Sequence, residues 1–204
     1  MGAVKQEPRL DIMLDLETLS TAKNAAVIQV GMCVFDIFDP EHPLKYPLYD
    51  ARIQVRPDFD RATVDPNTLA WWLRQESKAR LQVETALTQG LSEEGAISAV
   101  MDVMGTIRRD LGTANTFVWS KGPDFDMAIL ASLFARQGSN LNRVFDYRAA
   151  RDVRTLFDLY GWAPEVDWDW HGWVAHDALC DAKGQAVQAA QAFRYLRDSA
   201  GKCR

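Results

Sequence analysis

Three short blocks of the chain carry side chains whose types and spacing could do chemistry. Asp15 and Glu17 stand two residues apart at the end of an apolar run. If that run is a strand reaching Glu17, both carboxylates lie on one face. Carboxylates that meet at one point repel unless one is protonated or a cation lies between them. A polar strand end leading into a turn accounts for the same pair with no chemistry at all. Asp124 and Asp126 follow Gly122-Pro123 at the start of a helical pattern. A carboxylate there often serves as a cap, which suits Asp124. Two residues later, Asp126 belongs in the first turn, where it can face a sheet edge. His176 and Asp181 form H-x-x-x-x-D. With Asp177 as a cap, His176 precedes the last helix and Asp181 sits near its apolar face, flanked by Ala178, Leu179 and Ala182. A carboxylate turned toward a core is costly unless paired or metal-bound. A lone histidine is more often structural than chemical. The three blocks together are more specific than any one of them.

The elements that must position these residues are readable from apolar patterning. Leu10–Asp15 is strand-like, and Ala25–Ile37 reads as a long buried strand or one with a bulge near Gly31. Tyr49–Arg56 alternates and suggests a third strand, so the opening resembles an antiparallel meander. Asp65-Pro66 fits a cap followed by proline at the first helical position, continued by Leu69–Leu73. Ser92 caps a second helix, whose Ile97, Val100, Met104, Ile107 and Leu111 make one buried face. Thr116–Ser120 is a short strand, Asp124–Gln137 a helix stopped by Gly138, and Arg151–Tyr160 a helix closed by Gly161. The last helix is expected from about Ala178 to Arg197. Strands, helices, a strand, then helices imply an α/β fold: a mixed central sheet flanked by helices.

Composition bounds the rest. The 204 residues suit one domain, with hydrophobic residues at 48% and charged residues at 25%. Residues 1–9 and 198–204 read as flexible tails around a domain spanning 10–197. The longest apolar stretches are too short for a bilayer, and the N-terminal residues lack a signal-peptide core. Three cysteines, Cys33, Cys180 and Cys203, with no C-x-x-C, argue against a disulfide scaffold or structural zinc and for a reducing cytoplasm. A net charge of −5 and a pI near 5.2 argue against coating long duplexes, but not against gripping a few nucleotides in one cleft.

The blocks Asp15-Leu16-Glu17, Phe125-Asp126 and His176-Asp177-Ala178-Leu179-Cys180-Asp181 resemble the DEDDh 3′–5′ exonucleases of the ribonuclease H-like superfamily. They occur in that family's order over about residues 10–197. Trp119-Ser120-Lys121-Gly122-Pro123 and Arg151-Asp152-Val153-Arg154-Thr155-Leu156 resemble a narrower group, the phage exodeoxyribonuclease VIII-like members and a small mycobacterial 3′–5′ exoribonuclease group. The resemblance implies a ribonuclease H-like fold, with strands 1–3 antiparallel and later strands parallel. It implies a two-metal-ion hydrolase that releases nucleoside 5′-monophosphates from the 3′ ends of single strands, DNA being favoured. Asp15, Glu17, Asp126 and Asp181 would be the metal ligands, with Asp15 bridging and His176 as general base. Hard oxygen donors select two Mg²⁺, with Mn²⁺ as substitute. The adjacent Asp124 competes with Asp126 for the ligand position.

Substrate contacts expected from the same resemblance are Leu16, Thr18 and Leu19. Arg136, Arg143, Arg148, Arg151 and Arg154 against Asp146 and Asp152 give a local excess of positive charge. This is either a solvated face or, for Arg151, Arg154 and the separate Lys121, phosphate contact near the cleft. Trp162, Trp168, Trp170 and Trp173 crowd the segment before His176 and either pack it or stack bases. Trp71 and Trp72 are expected in the core or a dimer contact. A homodimer is expected, and no membrane partner. The rival readings are a 3′–5′ exoribonuclease acting on short RNA, a catalytically inactive nucleic-acid-binding module, and a polymerase proofreading subunit.

Overall fold

The structure is a computed structural model that describes residues 9–112, 115–168 and 172–202, with side chains to residue 199. Six strands form one mixed sheet: β1 Arg9–Thr18, β2 Val27–Phe35, β3 Ala51–Arg56, β4 Leu91–Ser92, β5 Asn115–Ser120 and β6 Ala150–Asp152. Their order across the sheet is β4-β3-β2-β1-β5-β6. The β1–β2 and β2–β3 pairs are antiparallel, whereas β1–β5, β5–β6 and β3–β4 are parallel. The expected mixed sheet is therefore present. Among the described residues six helices flank it: α1 Pro66–Leu73, α2 Ser77–Gln89, α3 Glu93–Leu111, α4 Asp126–Arg136, α5 Val153–Tyr160 and α6 Ala178–Lys202.

Alternation along the strands sorts side chains to two faces. Leu10, Ile12, Leu14 and Leu16 of β1 join Val30, Met32 and Val34 of β2 in a core under α3 and α4. The other face of β1 carries Asp11, Met13, Asp15 and Glu17. There Met13, Cys33 and Phe35 pack against α5 and α6 through Leu156, Ala182, Ala186 and Ala189. Central β2 is buried along its whole length, which explains its unbroken apolar run. Caps act where the residue types suggest: Asp65 accepts from Asn67 N, Ser92 from Gly95 N and Asp177 from Cys180 N.

Several elements differ from their sequence expectation. The bulge lies between Glu17 and Thr18 of β1, not near Gly31. Helix α2 has no counterpart in the patterning, because only Ala79 and Ala86 of its 13 residues are buried and no apolar stripe forms. Strands β4 and β6 hold two and three residues, too few to display a period. Arg151 accordingly belongs to β6 and not to the following helix, which Asp152 caps by accepting from Arg154 N. The last helix continues past Arg197 to Lys202. Among the described residues, no helix is long and apolar enough to cross a membrane.

Candidate active site

Two cross-strand rows on the α6 face build the site. Strand register aligns Asp15 with Gly31 and Gly31 with Arg52, then Glu17 with Gln29 and Gln29 with Gln54. Gly31, Arg52 and Gln29 in these rows seat the start of α6. A Cβ on Gly31 would lie 2.1 Å from the carbonyl carbon of Ala178, so only a bare backbone lets the helix start this close to the sheet. Arg52 donates to Asp177 Oδ1 through Nη2 at 2.8 Å and Nε at 3.0 Å. The same oxygen accepts from Cys180 N at 3.1 Å. Gln29, fully buried, accepts from Ala178 N and donates to Gln82 Oε1, which also accepts from Gln54. The helix start is thereby fixed over the carboxylates of β1.

Within the helix, Asp181 and Gln185 are one turn apart and share a face. Gln185 donates to Asp15 Oδ1 at 2.8 Å. Asp181 Oδ2 accepts from His176 N at 3.2 Å and its carboxyl group hydrogen-bonds that of Glu17. Asp126, the first residue of α4, is 3% exposed and accepts from Leu16 N at 3.2 Å. Asp124, two residues earlier, is exposed. The four acids Asp15, Glu17, Asp126 and Asp181 therefore crowd one end of the sheet.

Their ionisation is opposed. Burial, then the charges of Asp126 and Asp181, push Asp15 well above the usual carboxylate range. Burial and the neighbouring acids do the same to Glu17. Burial raises Asp126 to about 7 and Asp181 to about 6. Lys121, facing Asp15 and Asp181, and Arg154, facing Asp126, ease this with their charge. Carboxylates held this close gain from a divalent cation, which stabilises the ionised form. Donor atoms of Glu17, His176 and Asp181 lie within 4.8 Å of one another, a cluster able to hold a metal ion. The oxygen-dominated donor set fits a hard cation.

His176 has φ of 61°, in the left-handed region that non-glycine residues seldom adopt. Its ring stands edge-on to Trp71, with centroids 4.7 Å apart, and to Trp72 at 6.1 Å. Partial burial lowers the imidazole pKa, favouring the neutral form. Beside it opens a hollow of about 510 Å³, lined among others by Leu16, Glu17, Thr18, Trp71, Trp72 and Phe125.

The remaining sequence expectations divide. Leu16 and Thr18 line the hollow. Leu19 does not: it is 2% exposed and packs with Ala26, Ile28 and Trp72 beneath it. Arg154 lies against Gly122 at the site, whereas Arg151 turns back toward Phe117, 4.3 Å from its ring centre. Arg136 is sequestered in a buried pair with Glu93 at 2.7 Å. Trp168 packs on Gly184 of α6 and stands edge-on to Trp173. Trp162 is exposed beside Tyr160, and Trp170 lies outside the described residues. Trp72 is in the core, its Nε1–H donating to Thr18 O at 2.9 Å. Trp71 is the residue that sequence reasoning missed: it is 37% exposed and faces the hollow. Its place in a tandem pair was the sole signal, and that signal equally fits a core.

The mixed sheet with its acidic pocket is the arrangement that the sequence resemblance to the DEDDh nucleases implies. A family model described as the 3′-5′ exoribonuclease Rv2179c-like domain matches residues 10–193, and the chain belongs to that family. It is a 3′–5′ exonuclease, a hydrolase. The chain is 23% identical to an exodeoxyribonuclease of Enterobacteria phage T4 over 211 residues, covering 91% of this chain and 89% of the relative. Solved structures share the fold. E. coli Exonuclease I in complex with a dT13 oligonucleotide matches with a TM-score of 0.64 at 14% identity, over 94% of this chain. The match spans 43% of Exonuclease I, less than half its length. The nuclease domain of 3′hExo, a DEDDh family member bound to rAMP, matches with a TM-score of 0.58 at 13% identity, over 96% and 95% of the two chains.

Proposed function

We propose that the protein removes nucleoside 5′-monophosphates from the 3′ ends of single-stranded nucleic acid, with residues 10–197 as one catalytic domain. The observation that carries this reading is the meeting of Asp15, Glu17, Asp126, Asp181 and His176 beside a hollow with aromatic walls. Two Mg²⁺ held by the four carboxylates, with Mn²⁺ as substitute, would supply an activated water and countercharge for the departing 3′ oxygen. His176, neutral at working pH, accepts the proton of the attacking water at the imidazole nitrogen that carries a lone pair. The edges of Trp71 and Trp72 restrict the ring to that position. Leu16, Thr18 and Trp71 hold the terminal nucleotide, and Lys121 and Arg154 meet its phosphates.

DNA is the polymer favoured by the sequence reading and by the name of the phage relative. RNA is the second reading, favoured by the family's description. Matched 5′-labelled single strands of DNA and RNA, incubated with Mg²⁺, Mn²⁺ or EDTA, test both. A ladder shortening from the 3′ end, abolished by EDTA, is expected, and the faster polymer is the substrate. Cuts inside a circular strand would contradict the end-specific reading. We assign the protein to the cytoplasm as a homodimer, which light scattering checks.

A further inference from the structure

At the other end of β5 lies a second hollow, of about 610 Å³, lined by Arg108, Asn115, Thr116, Phe117, Arg148 and Arg151 among others. Its lining carries three arginines against the single carboxylate of Asp146. That is a local positive excess in a chain whose net charge is −5. Asp146 is engaged, accepting from Arg148 N at 2.8 Å. The Arg151 guanidinium is held open rather than neutralised: Nη1 donates to Arg148 O and Ala150 O, and no carboxylate pairs with it among the described ion pairs. Beside it, Tyr147 is 69% exposed and carries the Arg148 guanidinium 4.8 Å from its ring centre. An exposed aromatic face next to unneutralised guanidinium groups is the pairing that bases and phosphates of a single strand use.

Position gives this hollow its meaning. Strand β6 is an edge strand. It begins beside the hollow and ends at α5, whose first turn holds Arg154 against Gly122 near Asp126. Arg148, Arg151 and Arg154 thus recur every third residue along one segment, from the hollow to the catalytic end. The hollow reaches Thr116, four residues down β5 from Ser120, about 13 Å at the usual rise per residue. A 3′ end seated at the acids must lead its upstream chain somewhere, and this is a basic track beginning at that place.

We propose that the upstream phosphodiester backbone of the substrate leaves the active site along the β6 edge and is held in the hollow by Arg108 and Arg148, with Tyr147 stacking on a base. The protein then prefers long single strands over short ones. The proposal rests on the exonuclease reading above.

The test measures KM and kcat on a dinucleotide and on a strand of roughly a dozen nucleotides, in DNA and RNA forms, across a salt series. The double variant Tyr147→Ala/Arg148→Glu is expected to raise KM for the long strand by about 5-fold or more and to flatten its salt dependence. Its dinucleotide kinetics remain those of the unchanged protein, which also shows that it folds. Arg148→Lys, keeping the charge, retains most of the long-strand affinity. Equal effects on both lengths, or none on either, would overturn the track. If the unchanged protein shortens neither polymer from the 3′ end, the exonuclease reading itself fails and the track with it. Loss in only one polymer names the one that the track serves.

Discussion

Strand β1 carries two aspartates on the same face, two repeats of the pleat apart, Asp11 buried and Asp15 partly so, and they have opposite surroundings. Asp11 is 3% exposed and receives Arg9 Nε and Nη2, each at 2.7 Å, and Trp119 Nε1 at 2.7 Å. Four residues on, Asp15 receives one neutral donor, Gln185, and faces three more acids. Both carboxylates lie in the same strand, but among the described residues only Asp11 has a cation in direct contact, Lys121 acting on Asp15 without an ion pair. Burial of an acid is therefore no sign of chemistry by itself. Burial without a direct ion pair is, because the desolvation cost stands until a cation arrives from outside. The buried Glu93–Arg136 pair repeats the Asp11 pattern at the other face of the sheet.

Substitution can break this contrast. Asp15→Asn removes a proposed metal ligand and relieves repulsion. It is expected to lower kcat by about 10³-fold or more, with the metal-free protein melting at the same temperature or higher. Asp11→Asn should do the reverse: lose about 1–3 kcal/mol in urea unfolding while keeping kcat within a few-fold. Similar behaviour in the two variants would erase the distinction. His176→Ala is expected to cost about 10²-fold or more in kcat with metal affinity largely kept, and near-normal turnover would take His176 out of the mechanism.

Gly31→Ala acts at a distance. Its new Cβ would collide with the backbone of Ala178, so the start of α6 must shift and carry Asp181 and His176 with it. A loss of about 1–3 kcal/mol in stability is expected, with kcat reduced by about 10-fold or more. Unaltered kcat would mean that the helix start does not set the site's geometry.

The smallest effect is on pH dependence. Folded-state pKa values of about 7 for Asp126 and about 6 for Asp181 lie above the ordinary value near 4. Between those limits the folded chain binds more protons than the unfolded chain. Stability from these acids is therefore full below about pH 4 and lost as pH rises through the folded values. The metal-free protein should lose roughly 10 °C or more in Tm between about pH 4 and pH 7 from these groups, and millimolar Mg²⁺ should restore most of it. A Tm insensitive to both would contradict the unpaired character of the cluster.

Much of this was legible from residue types. The strand order of apolar runs, the caps at Asp65, Ser92 and Asp177, and the three acidic blocks all follow from local spacing. What held the blocks together was not legible. Gly31, Gln29 and Arg52 matter through strand register, and register joins residues far apart in the chain. Leu19 and Trp71 each stand in the surroundings expected of the other for a similar reason. The bulge after Glu17 and the packing of Trp72 under Thr18 decide which of them faces the hollow. The arginines between positions 136 and 154 looked like one group, yet Glu93 takes Arg136, the active site takes Arg154, and the far hollow takes Arg148 and Arg151.

The most direct measurement is calorimetric titration of Mn²⁺ or Mg²⁺ into the unchanged protein and into the Asp11→Asn and Asp15→Asn variants near pH 6.5, in buffers of differing ionisation enthalpy. Binding accompanied by proton release is expected in the unchanged protein and in Asp11→Asn, and binding weakened by at least about 10-fold in Asp15→Asn. Binding that leaves Asp15→Asn as tight as the unchanged protein, or no binding at all, would contradict the metal site proposed for these acids.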